Sequence, residues 1–172
     1  MRLLLCLAGE IASGKTTLAD ALLHAFPESA RAAFGDVVRR RVIQAGVEPD
    51  RQSLQDMGRR LVAGGWPSFV GLLAQGVTGD PDVLIVDGIR HVQAVDALQT
   101  QFPDRRTMLI FLDSEDQQRE ARLAERGEVT SSLSHPVELE LVDVRDIADL
   151  ILPATRTTAQ HVRCIVDWLE TS

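Results

Sequence analysis

Apolar residues fall in short unbroken runs at 3–8, 83–86, 108–112 and 150–152, bounded by charged, Gly or Pro residues except at Thr107. Runs of this length without polar alternation predict parallel strands covered on both faces. A weaker fifth run lies at 31–34. Between them, apolar positions recur with helical period at 15–25, 37–45, 51–63, 92–99, 115–126 and 158–169. Strand and helix alternate along the chain, which predicts an α/β domain built on a five-stranded parallel sheet. Breaks between the segments carry turn chemistry: Phe26-Pro27, Gly46 with Glu48-Pro49-Asp50, Gly64-Gly65-Trp66-Pro67, Gly79-Asp80-Pro81 and Phe102-Pro103-Asp104. Residues 137–144 alternate apolar and acidic positions, and periodicity alone leaves them open between strand and helix. The small, polar stretch 127–136 reads as a surface loop. There is no internal repeat and no break long enough for an interdomain linker, so residues 1–172 are expected to form one domain.

At 172 residues the chain is large enough to bury about 70% of the surface that its unfolded form exposes, without disulfides or a structural metal. Its 18 basic and 25 acidic side chains leave a net charge of −7. That balance argues against a surface built to neutralise a nucleic-acid backbone, and no nucleic-acid partner is expected. Cys6 and Cys164 both lie in apolar segments, far apart in sequence, and read as reduced residues of the interior. The apolar run at the N-terminus spans only six residues before Gly9-Glu10, too short for a signal peptide. No run approaches the length of a membrane span, and a cytoplasmic location is expected.

One pattern carries chemistry directly. Gly9-Glu10-Ile11-Ala12-Ser13-Gly14-Lys15-Thr16 fits G-x-x-x-x-G-K-[ST] and sits between a predicted strand and a predicted helix. In such a loop, glycines let backbone N–H groups close around a polyphosphate, the lysine reaches the terminal phosphates, and the hydroxyl meets Mg²⁺. Lys15 is the only lysine; the other 17 basic residues are arginine. A compact ammonium has been kept where a planar fork fits less well. Gly9, Ala12, Ser13, Gly14, Lys15, Thr16 and Thr17 are therefore expected to bind ATP. Thr16 and Asp87, the latter at the end of the 83–86 run, are expected to meet Mg²⁺, Asp87 through water.

Two further segments extend the picture. Phe34-Gly35-Asp36-Val37-Val38-Arg39 resembles the Gly-Asp-x-x-Arg segment of adenylate kinases, and Asp87-Gly88-Ile89-Arg90-His91-Val92-Gln93-Ala94-Val95-Asp96-Ala97-Leu98 resembles their Asp-Gly-Phe-Pro-Arg-x-x-x-Gln-Ala-x-x-Leu segment, one residue shorter and without its proline. With the phosphate loop, these pieces resemble the P-loop nucleoside monophosphate kinases and, more diffusely, other small P-loop kinases, over about a fifth of the chain. The resemblance implies a three-layer αβα P-loop fold and transfer of the ATP γ-phosphoryl group to a nucleoside or deoxynucleoside monophosphate. It further implies that Arg39 and Arg90 grip the acceptor phosphate, that Asp36 lies in the acceptor site, and that Gln93 touches the acceptor base. The acceptor flap would occupy about 36–75, and a short helical lid about 119–138. Arg119, Arg122 and Arg126 share one face of the predicted 115–126 helix. The resemblance makes Arg122 and Arg126, with Lys15 and Asp87, the catalytic set.

A phosphate acceptor is already anionic and needs no general base, whereas a hydroxyl acceptor benefits from a carboxylate. Asp36 thus separates a monophosphate kinase from a hydroxyl kinase, such as a dephospho-coenzyme A or nucleoside kinase. A third alternative is a nucleotide-gated ATPase or regulatory module. Trp66 is open between stacking on a base and anchoring the flap. His135 and His161 lack partners at metal-ligand spacing, and Trp168 reads as core. Residues 152–155 fall where related kinases cup the donor adenine. The sequence is silent on oligomeric state.

Overall fold

A computed structural model describes residues 2–114, 121, 123–124, 137–153 and 155–171. The elements follow in the order β1 (Leu3–Gly9), α1 (Lys15–Ala25), β2 (Ser29–Ala33), α2 (Phe34–Gln44), α3 (Arg51–Ala63), α4 (Trp66–Ala74), β3 (Val83–Ile89), α5 (Val92–Gln101), β4 (Arg106–Asp113), α6 (Val137–Asp146), β5 (Leu150–Pro153) and α7 (Thr158–Thr171). The open segment at 137–144 is helical. The expected lid lies largely, and Arg119, Arg122, Arg126 and the 127–136 stretch wholly, outside the described residues.

All five strands are parallel, in the order β2-β3-β1-β4-β5. Every residue of the central strand β1 is buried, because both faces of the sheet are covered. Leu3, Leu5 and Leu7 join Val83, Ile85, Met108, Ile110 and Leu112 on the face that packs under α1 and α7, where Leu18, Leu22 and Ile165 meet them. Leu4, Cys6 and Ala8 join Leu84, Val86, Leu109 and Phe111 on the other face, under Val37, Leu73, Leu98 and Val144. Each fully buried Leu contributes roughly 1.5–3 kcal/mol over its exposed state.

Most elements run a few residues past the expected bounds, and two junctions differ in kind. The strand expected at 31–34 runs over Ser29–Ala33, and Phe34 already opens α2. Phe34 is apolar because it closes the core at the strand-to-helix junction rather than because it continues the strand. The turn read at Gly64-Gly65-Trp66-Pro67 ends at Gly65 (φ 96°), and Trp66 starts α4. Pro67 sits in that helix's first turn, where its missing N–H breaks no helical hydrogen bond.

Sheet order fixes where a ligand can sit. The chain leaves β1 through α1 towards β2 and leaves β3 through α5 towards β4, across opposite faces. A crevice opens at such a switch point, outside the carboxyl ends of β1 and β3. The opposite edge is closed by ion pairs: Arg2 joins Asp80 and Asp104, and the buried Arg105 guanidinium donates to the Leu3 and Asp82 carbonyls at 3.3 Å each. No helix among the described residues is long and apolar enough to cross a membrane.

Cys6 is fully enclosed in β1, and burial, with a smaller contribution from the Asp149 carboxylate, pushes its thiol up to about 12. Cys164 is half-buried and its Sγ lies 2.9 Å from Arg156 Nη1. A thiol titration of the native protein at pH 8 should therefore count one reactive cysteine, with the second appearing only in denaturant. Two fast thiols in the native state would contradict the packing of β1.

Candidate active site

The loop expected to bind phosphate leaves β1 at Gly9, in the crevice. Gly9 has φ 139°, and a Cβ there would lie 2.6 Å from the Leu112 carbonyl oxygen on β4. Only glycine fits against that backbone. Ala12 (φ 62°) is the one non-glycine residue with left-handed backbone among those described, and Gly14 (φ 99°) turns the chain into α1. Lys15 folds back over the loop, its Nζ donating to the carbonyls of Gly9 (2.8 Å) and Glu10 (2.6 Å) and to Ser13 Oγ (3.3 Å). No side chain caps α1 and no acidic residue stands in its first turn. Its leading N–H groups and the positive end of its dipole thus face the loop, which favours an anion there. Ser13 is buried, Lys15 half-buried, and Thr16 and Thr17 are exposed.

Asp87 lies beside this loop, paired in register with Leu7. The register slips at the next step, where Gly88 (φ 91°) sits as the extra residue of a bulge. Such bulges bend a strand and re-aim its side chains. Asp87 is buried, and its Oδ2 accepts a 2.9 Å hydrogen bond from Arg31 Nη2. Mg²⁺ at nucleotide sites takes one or two carboxylates and otherwise keeps water and phosphate oxygens. Asp87 with the Thr16 hydroxyl fits that requirement, although no cluster of three or more His, Cys, Asp or Glu side chains suited to a metal exists among the described residues.

The acceptor candidates follow the carboxyl ends of β2 and β3, so the parallel sheet brings them to the same edge as the loop. Asp36 stands in the first turn of α2 and Arg39 one turn on, both exposed. Arg40 turns against Gly76 after α4, and Arg41 Nη1 donates to Gln44 Oε1 at 3.3 Å. Of this run of three arginines, Arg39 has the motif position and neither of those attachments. Arg90 is exposed between β3 and α5, and Gln93 is exposed in the first turn of α5. Arg122 and Arg126 lie outside the described residues.

Trp66 is an anchor. Its ring stacks on Phe69 at 5.7 Å, meets Phe34 edge-on at 5.9 Å and lies 5.0 Å from His91, which ties α4 to the ends of β2 and β3. His161 is buried with Nε2 2.9 Å from the Pro153 carbonyl, and Trp168 lies half-buried under the Arg106 guanidinium. Two participants were missed in the sequence. The aromatic partner His91 gave no periodic signal. Arg31 had one, since it is the only charge in an otherwise small-residue strand.

A profile of the AAA domain family matches residues 5–147. The chain belongs to this AAA domain family. Its fold is that of the P-loop kinases. A sugar kinase from Janibacter sp. HTCC2649 is similar over 99% of this chain and 95% of its own, at 16% identity and a TM-score of 0.58. TT1252 from Thermus thermophilus is similar over 98% of both chains, at 15% identity and a TM-score of 0.63. Shikimate kinase from Bacteroides thetaiotaomicron is similar over 98% of both chains, at 17% identity and a TM-score of 0.57. No curated protein matches the sequence.

Replacing Gly9 by Ala in this AAA domain should force the Leu112 carbonyl aside, at a cost on the order of 1–3 kcal/mol, and lower the melting temperature. Gly35, with nothing within 4 Å of a built Cβ, is the control: Gly35→Ala should leave the melting temperature unchanged or raised. Equal behaviour of the two variants would show that the Gly9–Leu112 approach is not a constraint.

Proposed function

We propose that this protein is an ATP-dependent phosphotransferase that moves the γ-phosphoryl group to a nucleoside or deoxynucleoside monophosphate. The observation that carries the reading is the loop itself: a left-handed turn at Ala12 and Gly14, an uncapped helix start, and the sole ammonium held across the loop by its carbonyls. In the proposed reaction an acceptor oxygen attacks the γ-phosphorus, the bond to the β-phosphate oxygen breaks, and ADP leaves. Little covalent chemistry falls to the protein, so its work is positioning and charge stabilisation. Lys15 meets the terminal phosphates, and the N–H groups of Ala12 to Thr17 hold the rest of the tail. Thr16 and Asp87 would hold Mg²⁺, which supplies charge neutralisation at the phosphates. Arg39 and Arg90 would hold the acceptor phosphate by paired, charge-assisted hydrogen bonds. Arg122 and Arg126 are assigned to the transferring group through the family resemblance alone.

A hydroxyl acceptor is the second reading, favoured by the likeness to a sugar kinase and a shikimate kinase and by the exposed Asp36 carboxylate at the start of α2. A coupled ADP-release screen across nucleoside monophosphates, deoxynucleoside monophosphates, nucleosides, dephospho-coenzyme A, sugars and shikimate separates the readings. Monophosphates should accelerate ADP release, and Lys15→Ala should lower it about a hundredfold or more. Acceleration by hydroxyl acceptors alone would select the second reading, and turnover indifferent to every acceptor would select a nucleotide-gated ATPase.

The acceptor arginines give a sharper outcome. Arg90→Ala should raise the acceptor KM by roughly tenfold to a hundredfold while ATP affinity stays within about twofold. Asp36→Asn should keep turnover with a monophosphate. Equal losses of acceptor and ATP affinity in Arg90→Ala, or collapse of kcat in Asp36→Asn with acceptor affinity intact, would contradict the assignment.

A further inference from the structure

Arg31 is the only charged residue of β2, in the run Ser29-Ala30-Arg31-Ala32-Ala33. It pairs in register with Ile85, two residues before Asp87, so the three side chains point to the face that packs under α1. Nη2 donates to Asp87 Oδ2 at 2.9 Å, and Nη1 lies 3.6 Å from Asp20 Oδ1 on α1. The link therefore runs from the helix that follows the phosphate loop, through the edge strand, to the carboxylate at the end of β3. The third guanidinium nitrogen, Nε, is buried without a hydrogen-bond partner. A buried unpaired donor costs about 1–3 kcal/mol, so this placement is a poor solution for stability alone. It does place one end of the guanidinium on Asp87.

We propose that Arg31 is a positioning residue that fixes the Asp87 carboxylate for Mg²⁺ of the bound nucleotide, an inference that rests on the function proposed above. The carboxyl torsion of an aspartate is broad. Committing Oδ2 to a guanidinium held from α1 narrows it and sets the direction of the other oxygen. Groups that orient a carboxylate meeting the metal, here through water, tune affinity through the group they orient. Simple charge neutralisation predicts the opposite sign: removal of a cation next to the site would tighten metal binding.

The test measures Mn²⁺ binding, by electron paramagnetic resonance, to the enzyme saturated with a nonhydrolysable ATP analogue, and analogue binding in EDTA by calorimetry. Arg31→Ala should weaken Mn²⁺ about tenfold and leave analogue affinity in EDTA within about twofold. In an Asp87→Asn background the same substitution should change Mn²⁺ affinity less than about twofold, because the two residues act as a unit. Arg31→Lys, which keeps the charge and protects the fold, should give a smaller loss in the same direction. Unchanged or tighter Mn²⁺ binding in the Lys variant, an undiminished effect beside Asp87→Asn, or a parallel loss of analogue affinity in EDTA would overturn the proposal. Failure of the unmodified protein to bind the analogue in EDTA would instead remove the nucleotide reading, and the proposal with it.

Discussion

The contact of Gly9 with the Leu112 carbonyl is the constraint around which the site is arranged. Gly9 ends the central strand, and its neighbour in register on β4 comes so close that no side chain can intervene. With β1 pressed against β4, the chain leaves the sheet through a loop whose positive-φ positions are filled by small residues, Gly9, Ala12 and Gly14. That path aims the N–H groups of α1 back towards the crevice. The charge preference of the loop is thus set by backbone packing before any ionisable side chain contributes.

Much of the fold was legible because its strands are buried twice. A strand covered on both faces needs no polar alternation, so the runs at 3–8, 83–86, 108–112 and 150–152 stand out as unbroken apolar text, and each corresponds to a strand of the sheet. The edge strand β2 is the exception. All five of its residues are half-buried, and alanine and serine fill positions where a central strand would carry leucine or valine. Hydrophobic pattern loses contrast there, and the neighbouring Phe34 drew the expected boundary off by its bulk. The helix α4 was hidden differently: Gly-Gly-Trp-Pro is turn chemistry, yet a glycine N-cap followed by a first-turn proline is also how a helix begins.

The site was legible to the extent that backbone geometry dictates its residues. Glycine spacing and a lysine at a helix start have few physical alternatives, so the loop could be read from eight residues. Side-chain partnerships across elements have no such grammar. The sequence around Trp66 does not distinguish a ring waiting for a base from one packed between Phe34, Phe69 and His91, since only Phe69 shares its helix and the other two partners arrive from the ends of β2 and β3. Arg31 left a fainter trace, a charge amid small residues, whose meaning depends on Asp20 and Asp87 arriving from α1 and β3.

The division between arginine and lysine follows from the same physics. Arginine serves this chain wherever a cation must bridge two fixed acceptors: Arg2 between Asp80 and Asp104, Arg105 between the Leu3 and Asp82 carbonyls, Arg31 between Asp20 and Asp87. A planar fork is preorganised for such bridging and gives up little freedom per hydrogen bond. Those pairs are parts of a framework, meant to stay as they are. A loop that binds phosphate, as proposed here, asks for a cation that is held by carbonyls in one situation and by phosphate oxygens in another. An ammonium with three rotatable donors on a four-carbon stem can exchange one set of oxygens for the other without a change of geometry. On this argument the single lysine marks a basic position whose partners are meant to be replaced.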